Sequence, residues 1–254
     1  LLEVENVHIS FGGVKALSGV NFTLGEGEVL AVVGPNGAGK TTLLNCISGW
    51  YHPQAGHIRL DGKEITRLPA DKVAALGVAR TFQNPALFRG MTVLDNIMSG
   101  AEVRLVSNFL SCAIYWGFAQ KEELRERKVA EDIIDFLEME HIRHIPAGAL
   151  PLGLRRRVEL GRALAMRPKV LLLDEPMAGL NVEEKEDMAR FILDVNEELR
   201  LPVILVDHDM GVVMDISDRV VVLDYGIKIA EGSPEEVQKD PKVISVYLGT
   251  RRKA

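Results

Sequence analysis

The chain has 254 residues, 47% apolar and 6% aromatic, with a net charge of −6 and a pI near 5.6. That length suits one large α/β domain, or one domain with a smaller lobe, and its folding buries about 70–75% of the unfolded surface without covalent staples. The acidic balance argues against a nucleic-acid partner, no run approaches the roughly 20 apolar residues of a membrane span, and Cys46 and Cys112 carry no metal spacing. A reduced cytosolic compartment is expected, with no signal peptide. Because the chain opens on Leu1 rather than Met, a trimmed start is expected too.

In chain order, strand patterns run over Leu2–Ile9 and Val20–Leu24, with a Gly12-Gly13 turn between them. Phe11 sits beside that turn, where its ring can stack on an adenine or join the core. Glu28–Val33 is an apolar, β-branched run that reads as a buried parallel strand. It leads into Gly34-Pro35-Asn36-Gly37-Ala38-Gly39-Lys40-Thr41-Thr42, a complete G-x-x-x-x-G-K-[ST] loop. Such a loop lets backbone N–H groups curl around phosphate oxygens. Lys40 brings a charge to the β- and γ-phosphates, and the Thr41 hydroxyl is placed to ligate Mg2+. Lys40–Ser48, apolar at Leu43, Leu44 and Ile47, reads as the helix whose N-terminus meets those phosphates. A plain Gly-rich turn is the bland reading, and both flanks weigh against it.

His57–Leu60 adds a strand to what reads as an antiparallel layer. After a strand-like Gly77–Ala79, Thr81-Phe82-Gln83 offers an amide that can bind Mg2+ or water and report the γ-phosphate to neighbouring helices. From Leu94 to Ala149 strand signals fade, and Lys121–Glu138 carries an amphipathic helical pattern. The apolar stretch Leu105–Ala119, broken by Ser107, Asn108 and Ser111, is either a docking surface or a small local core. Lys169–Asp174, Glu183–Leu199 and Pro202–Val206 then follow in βαβ order, which implies parallel strands and a right-handed crossover.

The first of those strands ends in Asp174-Glu175-Pro176, where Asp174 suits a magnesium shell and Glu175 suits polarising a water. The second ends in Asp207-His208-Asp209. His208 can donate to developing charge there, although an isolated His is more often structural. Asp218–Leu223 gives one more strand, and Ser233-Pro234 and Asp240-Pro241 open two short helices. The Arg251-Arg252-Lys253 tail reads as a solvated end.

The succession of the phosphate loop, Gln83, Leu150-Pro151-Leu152-Gly153-Leu154, Asp174-Glu175, Ala178-Gly179-Leu180-Asn181 and His208 resembles the nucleotide-binding subunits of ABC transporters. The resemblance spans almost the whole chain. It implies an α/β fold on a P-loop NTPase core, with a mainly parallel sheet, an added antiparallel β layer and an inserted helical subdomain. One ATP-binding domain over 1–254 then comprises 1–93 (antiparallel layer and phosphate loop), 94–165 (helical subdomain) and 166–254 (the remaining core and C-terminal helices). The resemblance also implies ATP and Mg2+ as ligands and a head-to-tail ATPase dimer that sandwiches two nucleotides. Phe11, Gly34 to Thr42 and Gln83 would bind one nucleotide, and Pro151, Leu152, Gly153 and Asn181 would serve the partner's. Thr41, Gln83 and Asp174 would form the metal shell, with Glu175, His208 and Lys40 as the catalytic residues.

Within the family, the chain is closest in pattern to the ATPases of branched-chain amino acid importers. The residues concerned are Phe11–Leu17, Arg80–Gln83, Met91–Val93, the insert Ala101–Gln120 and the ending Asp240–Gly249. A lipopolysaccharide-export ATPase shares Arg155-Arg156-Arg157-Val158-Glu159, which leaves cargo and direction open. Either reading implies separate membrane permeases, a homodimer or a heterodimer with a sister ATPase, and a peripheral place on the cytoplasmic face of the inner membrane. The importer reading adds a substrate-binding protein at one remove.

One segment departs from the family pattern. Where the usual signature is Leu-Ser-Gly-Gly-Gln, Pro151 has neither hydroxyl nor N–H. One lost hydrogen bond to a charged group costs roughly 1.5–3 kcal/mol, so a weakened signature is expected. With a sister ATPase of standard signature, this subunit's own nucleotide site would be the stronger of the two. A soluble ABC ATPase of translation or repair would carry tandem domains or basic surfaces, and a nucleotide sensor would lack Glu175, His208 or Lys40. The sequence has neither pattern.

Overall fold

The structure is a computed structural model describing residues 1–101 and 118–247, with side chains in the second stretch from 123 onward. Strand β1 (Leu2–Phe11) turns at Gly12-Gly13 into β2 (Val14–Leu24), antiparallel to it. Register shifts after Val4, Val7 and Ile9 break the two-residue alternation, which is why the pattern showed only the end of β2. After β3 (Val29–Val33), strands β4 (Ala55–Leu60) and β5 (Lys63–Glu64) complete a four-stranded antiparallel sheet in the order β2-β1-β4-β5. This is the expected antiparallel layer.

The larger sheet adds β6 (Val78–Arg80), β7 (Val170–Asp174), β8 (Val203–Val206), β9 (Arg219–Asp224) and β10 (Ile227–Gly232) to β3. Its order is β10-β9-β3-β8-β7-β6, parallel throughout except for the β9–β10 hairpin. β3, β7 and β8 are buried at every position, so their sequences are continuous apolar runs rather than alternating ones.

The helices are α1 (Lys40–Ile47), α2 (Ala70–Leu76), α3 (Val93–Ala101), α4 (Phe118–Phe136) and α5 (Leu152–Ala165), then α6 (Val182–Leu199), α7 (Met210–Ile216), α8 (Pro234–Lys239) and α9 (Pro241–Tyr247). Successive residues of the central strands feed two separate cores. Val29, Ala31, Val33, Leu171 and Leu173 pack with Ile97 of α3, Ile134 of α4, Val158 and Leu160 of α5, and Phe191 of α6. Leu30, Val32, Val170 and Leu172 pack with Leu43, Leu44 and Ile47 of α1 and with the antiparallel sheet. Each fully buried Leu, Val or Phe contributes about 1.5–3 kcal/mol by leaving water. Cys46 belongs to the second core, and burial pushes its thiol up to about 12.

Helix α4 forms where Lys121–Glu138 was expected to be helical. Cys112, most of the Leu105–Ala119 stretch and the Arg251–Lys253 tail lie outside the described residues. Periodicity did not reveal α2, α7 or β10. The two helices have seven residues each, about two turns, and β10 is partly exposed with a register shift at Lys228/Ala230. The strand order sets β3, β7 and β8 parallel, so Gly34, Glu175 and Asp207 leave the same edge of the sheet. Ligands of open parallel sheets bind at that carboxyl edge.

Candidate active site

The loop from Gly34 is shaped by its neighbours. Gly34 lies so close to β9 that an added Cβ would stand 2.1 Å from the Leu223 carbonyl oxygen. The Ala38 N–H donates to the Pro35 carbonyl at 3.1 Å, and the Gly226 N–H donates to the Ala38 carbonyl at 2.9 Å. Gly39 precedes α1 in the left-handed region and contributes no side-chain cap. The first N–H groups of that helix are therefore open to an anion. Beside them lies a cleft of about 360 Å³ lined by Val14, Lys15, Ala16, Asn36 to Thr42, Glu175 and Tyr225.

Lys40 is buried, and its Nζ donates to the carbonyls of Gly34 at 2.8 Å and Pro35 at 3.2 Å. Burial pushes the ammonium below its usual range, while Glu175, Asp174 and Asp207 pull the other way. Three carboxylates thus balance a buried cation whose position suits phosphate.

Glu175 has φ of 51°, an unusual value for a residue with a side chain, and its N–H donates to the Val206 carbonyl at 2.7 Å. Its Oε2 accepts from Gln83 Nε2 at 2.6 Å, and its Oε1 lies 3.5 Å from His208 Nδ1. The parallel sheet therefore joins Gln83, Glu175 and His208, which are far apart in sequence, into one cluster. Asp207, buried behind them, accepts from the N–H groups of Met177, His208 and Asp209 and so fixes the turn that presents His208.

Asp174 is almost wholly buried, and its Oδ2 accepts from Arg80 Nη2 at 2.8 Å. Its Oδ1 is buried with no hydrogen-bond partner. A buried carboxylate oxygen without a partner fits a metal shell, because an unmatched charge of this kind is costly unless something completes it. Thr41 lines the neighbouring cleft. Among the described residues no three His, Cys, Asp or Glu side chains form a closed metal cage. Mg2+ at nucleotide sites takes only one or two protein ligands beside the phosphates, so this donor set fits Mg2+.

Other expected residues lie elsewhere. Phe11 does not line the cleft; its half-exposed ring packs edge-on against Tyr51, with centroids 5.1 Å apart. Asn181 caps α6, its side chain accepting from the Glu184 N–H at 2.9 Å while Glu184 accepts from the Asn181 N–H at 3.0 Å. Pro151 is the N-cap of α5 without a side-chain bond, and Leu152 and Gly153 begin that helix. A Cβ on Gly153 would stand 2.5 Å from Glu184 Oε1. Leu152 and Gly153 thus lie against Gly179 and Glu184 of the same chain, and none of Pro151, Leu152 and Gly153 lines the Lys40 cleft.

Sequence reading missed three participants. Tyr225, exposed in the β9–β10 turn at φ of 44°, lines the cleft, and the only signal for it was an aromatic before Gly226. Arg80 and Asp207 looked like ordinary flanking charges until the sheet order placed them.

The general description "ABC transporter" matches residues 17–178, and "Branched-chain amino acid ATP-binding cassette transporter" matches residues 228–253. The chain is 41% identical over 249 residues, 98% of each protein, to the high-affinity branched-chain amino acid transport ATP-binding protein BraF of Pseudomonas aeruginosa. Its fold is similar to the ADP conformation of MJ1267, an ATP-binding cassette of an ABC transporter, with a TM-score of 0.85, 33% identity and 98% of each chain covered. A dimeric post-hydrolysis structure of the cassette MJ0796, bound to ADP and phosphate, superposes with a TM-score of 0.77 at 26% identity, over 92% of this chain and 99% of that one. Together with a phosphate loop facing a carboxylate held by glutamine and histidine, these matches place the chain in the ABC transporter family, as one of its ATP-hydrolysing nucleotide-binding subunits.

Proposed function

We propose that ATP hydrolysis in this subunit drives uptake of branched-chain or related amino acids through separate membrane permeases. Two findings support that cargo: the BraF relative over 98% of both chains and the C-terminal match at residues 228–253. Among the described residues no helix is long and apolar enough to cross a membrane, so the path would belong to other subunits. The subunit would sit peripherally on the cytoplasmic face of the inner membrane, paired with a second ATPase and served indirectly by a substrate-binding protein. The functional division into 1–93, 94–165 and 166–254 is part of this reading.

At the site, the loop N–H groups and Lys40 would hold the β- and γ-phosphates, with Thr41 and Asp174 as Mg2+ ligands and the Gln83 carbonyl oxygen at the edge of that shell. Mg2+ supplies charge neutralisation on the phosphates when it is bound. Glu175 polarises the attacking water and takes its proton, while His208 donates to a γ-phosphate oxygen as charge builds there. Tyr225 and Val14 wall the cleft, and the exposed part of the Phe11 ring would be the part open to a base. Pro151, Leu152, Gly153 and Asn181 would act on the partner's nucleotide across a head-to-tail interface, an arrangement consistent with their absence from the lining of this chain's own cleft.

The observation that carries the catalytic reading is the Glu175 carboxylate between Gln83 and His208 beside the phosphate loop. In the isolated subunit, where every site carries the substitution, Glu175→Gln is expected to cut turnover by about a hundredfold or more while ATP binding persists. Turnover near that of the unaltered protein would reject Glu175 as the base. For the cargo, affinity capture from native membranes is expected to bring down two polytopic permeases, a second ATPase and an amino-acid-binding protein. Export-type membrane partners without a binding protein would overturn the import reading.

A further inference from the structure

Arg80 ends β6, three residues before Gln83, and its side chain is buried. One guanidinium nitrogen donates to Asp174 Oδ2 at 2.8 Å. A second donates to Asn45 Oδ1 at 2.6 Å and to Ser48 Oγ at 3.1 Å, both at the far end of the phosphate-loop helix. The Phe82 ring lies 5.3 Å from the guanidinium carbon. A single side chain thereby bridges the end of β7 to the helix that begins at Lys40 and Thr41.

The form of that bridge matters. Arginine meets carboxylates best through two parallel bonds, which would engage both oxygens. Here it gives Asp174 one bond from Nη2, turns Nη1 toward Asn45 and Ser48, and leaves its own Nε and Asp174 Oδ1 buried and unmatched. An unmatched buried carboxylate oxygen carries a desolvation cost that a bound cation would remove.

We propose that Arg80 is a positioning residue for the metal shell. It fixes the direction of the Asp174 carboxylate, keeps Oδ1 free for the nucleotide's Mg2+, and holds that oxygen in register with the helix carrying Thr41. A lysine ammonium cannot span Asp174 and Asn45 with the same planar geometry, so charge alone does not reproduce the function. The inference rests on the reading of Asp174 as a metal-shell residue.

The test uses Mn2+ as a paramagnetic substitute for Mg2+, with free Mn2+ measured by electron paramagnetic resonance in protein loaded with a non-hydrolysable ATP analogue. Arg80→Met is expected to weaken Mn2+ binding by about tenfold or more, the range seen when the partners that orient metal ligands are removed. Nucleotide affinity in EDTA should stay within about twofold of the unaltered protein, because the loop and Lys40 are untouched. Arg80→Lys should fall between the two. Asn45→Ala keeps the bond between Arg80 and Asp174 and removes one anchor on the helix. It is expected to shift Mn2+ binding by about threefold in the same direction and stands as the test if Arg80→Met does not fold. Asp174→Asn separates the two levels of the argument. If it leaves Mn2+ binding unchanged, the reading of Asp174 itself fails. If it weakens Mn2+ binding while the Arg80 and Asn45 variants do not, the role of Arg80 alone is overturned. Equal loss of nucleotide binding with and without metal in those variants would also overturn it, by reducing Arg80 to a packing residue.

Discussion

Gly34 shows how little latitude the phosphate loop has at single positions. Its backbone has φ of 149°, and a methyl group there would meet the Leu223 carbonyl at 2.1 Å, where neither backbone can yield without moving β3 against β9. Gly34→Ala is expected to destabilise the protein by about 3 kcal/mol or more, at the upper end of overpacking costs. A urea midpoint unchanged from the parent would contradict that placement. Glu175 has the opposite relation to its backbone. It keeps a full side chain at φ of 51°, tolerated because the Val206 carbonyl holds its N–H and because Gln83 and His208 hold its carboxylate. Strain of this kind gathers where a side chain must point in one direction.

Among the elements, α5 does more than start the signature segment. Arg156 donates to the Phe82 carbonyl at 3.1 Å, Arg162 donates to the Ala86 carbonyl at 2.5 Å, and Glu159 accepts from the N–H groups of Phe82 and Ala86. The loop that carries Gln83 is thus hung from one helix through three charged side chains. Burial pushes the Glu159 carboxyl above its usual range, although the two N–H groups and Arg162 and Arg156 oppose this. A carboxyl raised in the folded state favours the native protein while it is protonated, and that contribution disappears as pH rises above the unfolded value of about 4.5 through the folded one. Glu159→Gln removes the term. Its stability relative to the parent is therefore expected to improve between pH 5 and pH 7.5 in paired urea titrations, and an equal difference at both pH values would refute the assignment.

These elements also show which parts of the molecule were legible in sequence. The phosphate loop and the strands β3, β7 and β8 were, because their constraints act over a few adjacent residues. The grouping of Gln83, Glu175 and His208 needed the strand order, and only family resemblance supplied it. The bond between Arg80 and Asp174 spans 94 residues and depends on β6 pairing with β7, and the two anchors on α1 depend on a second packing face. No local pattern encodes such a contact. Phe11 was read from its place beside a turn, and its preference for Tyr51 is decided by packing between β1 and the segment after α1.

At the scale of the whole molecule, the segment at Pro151 lines no part of the Lys40 cleft, and in the proposed head-to-tail assembly each would be completed by a second ATPase. In an assembly with a sister ATPase of standard signature, Glu175→Gln in this chain silences its own site and leaves the turnover of the site that Pro151 faces. Adding Pro151→Ser is expected to raise that remaining turnover by about tenfold, the lower bound for restoring one hydrogen bond to a charged group. No remaining turnover would show that the site facing Pro151 does not work by itself, and an unaltered rate would show that the serine hydroxyl is not what the segment lacks. The seam between Gly153 and Glu184 bears on how such an assembly works as a machine. A methyl group on Gly153 would meet the end of the Glu184 side chain at 2.5 Å, and Arg156 donates to the Phe82 and Ala178 carbonyls. Through Arg156 the start of α5 is tied to Ala178, three residues after Glu175. In a working assembly, a displacement of α5 would be felt at the segment that follows Glu175, so stroke and chemistry would share that one joint.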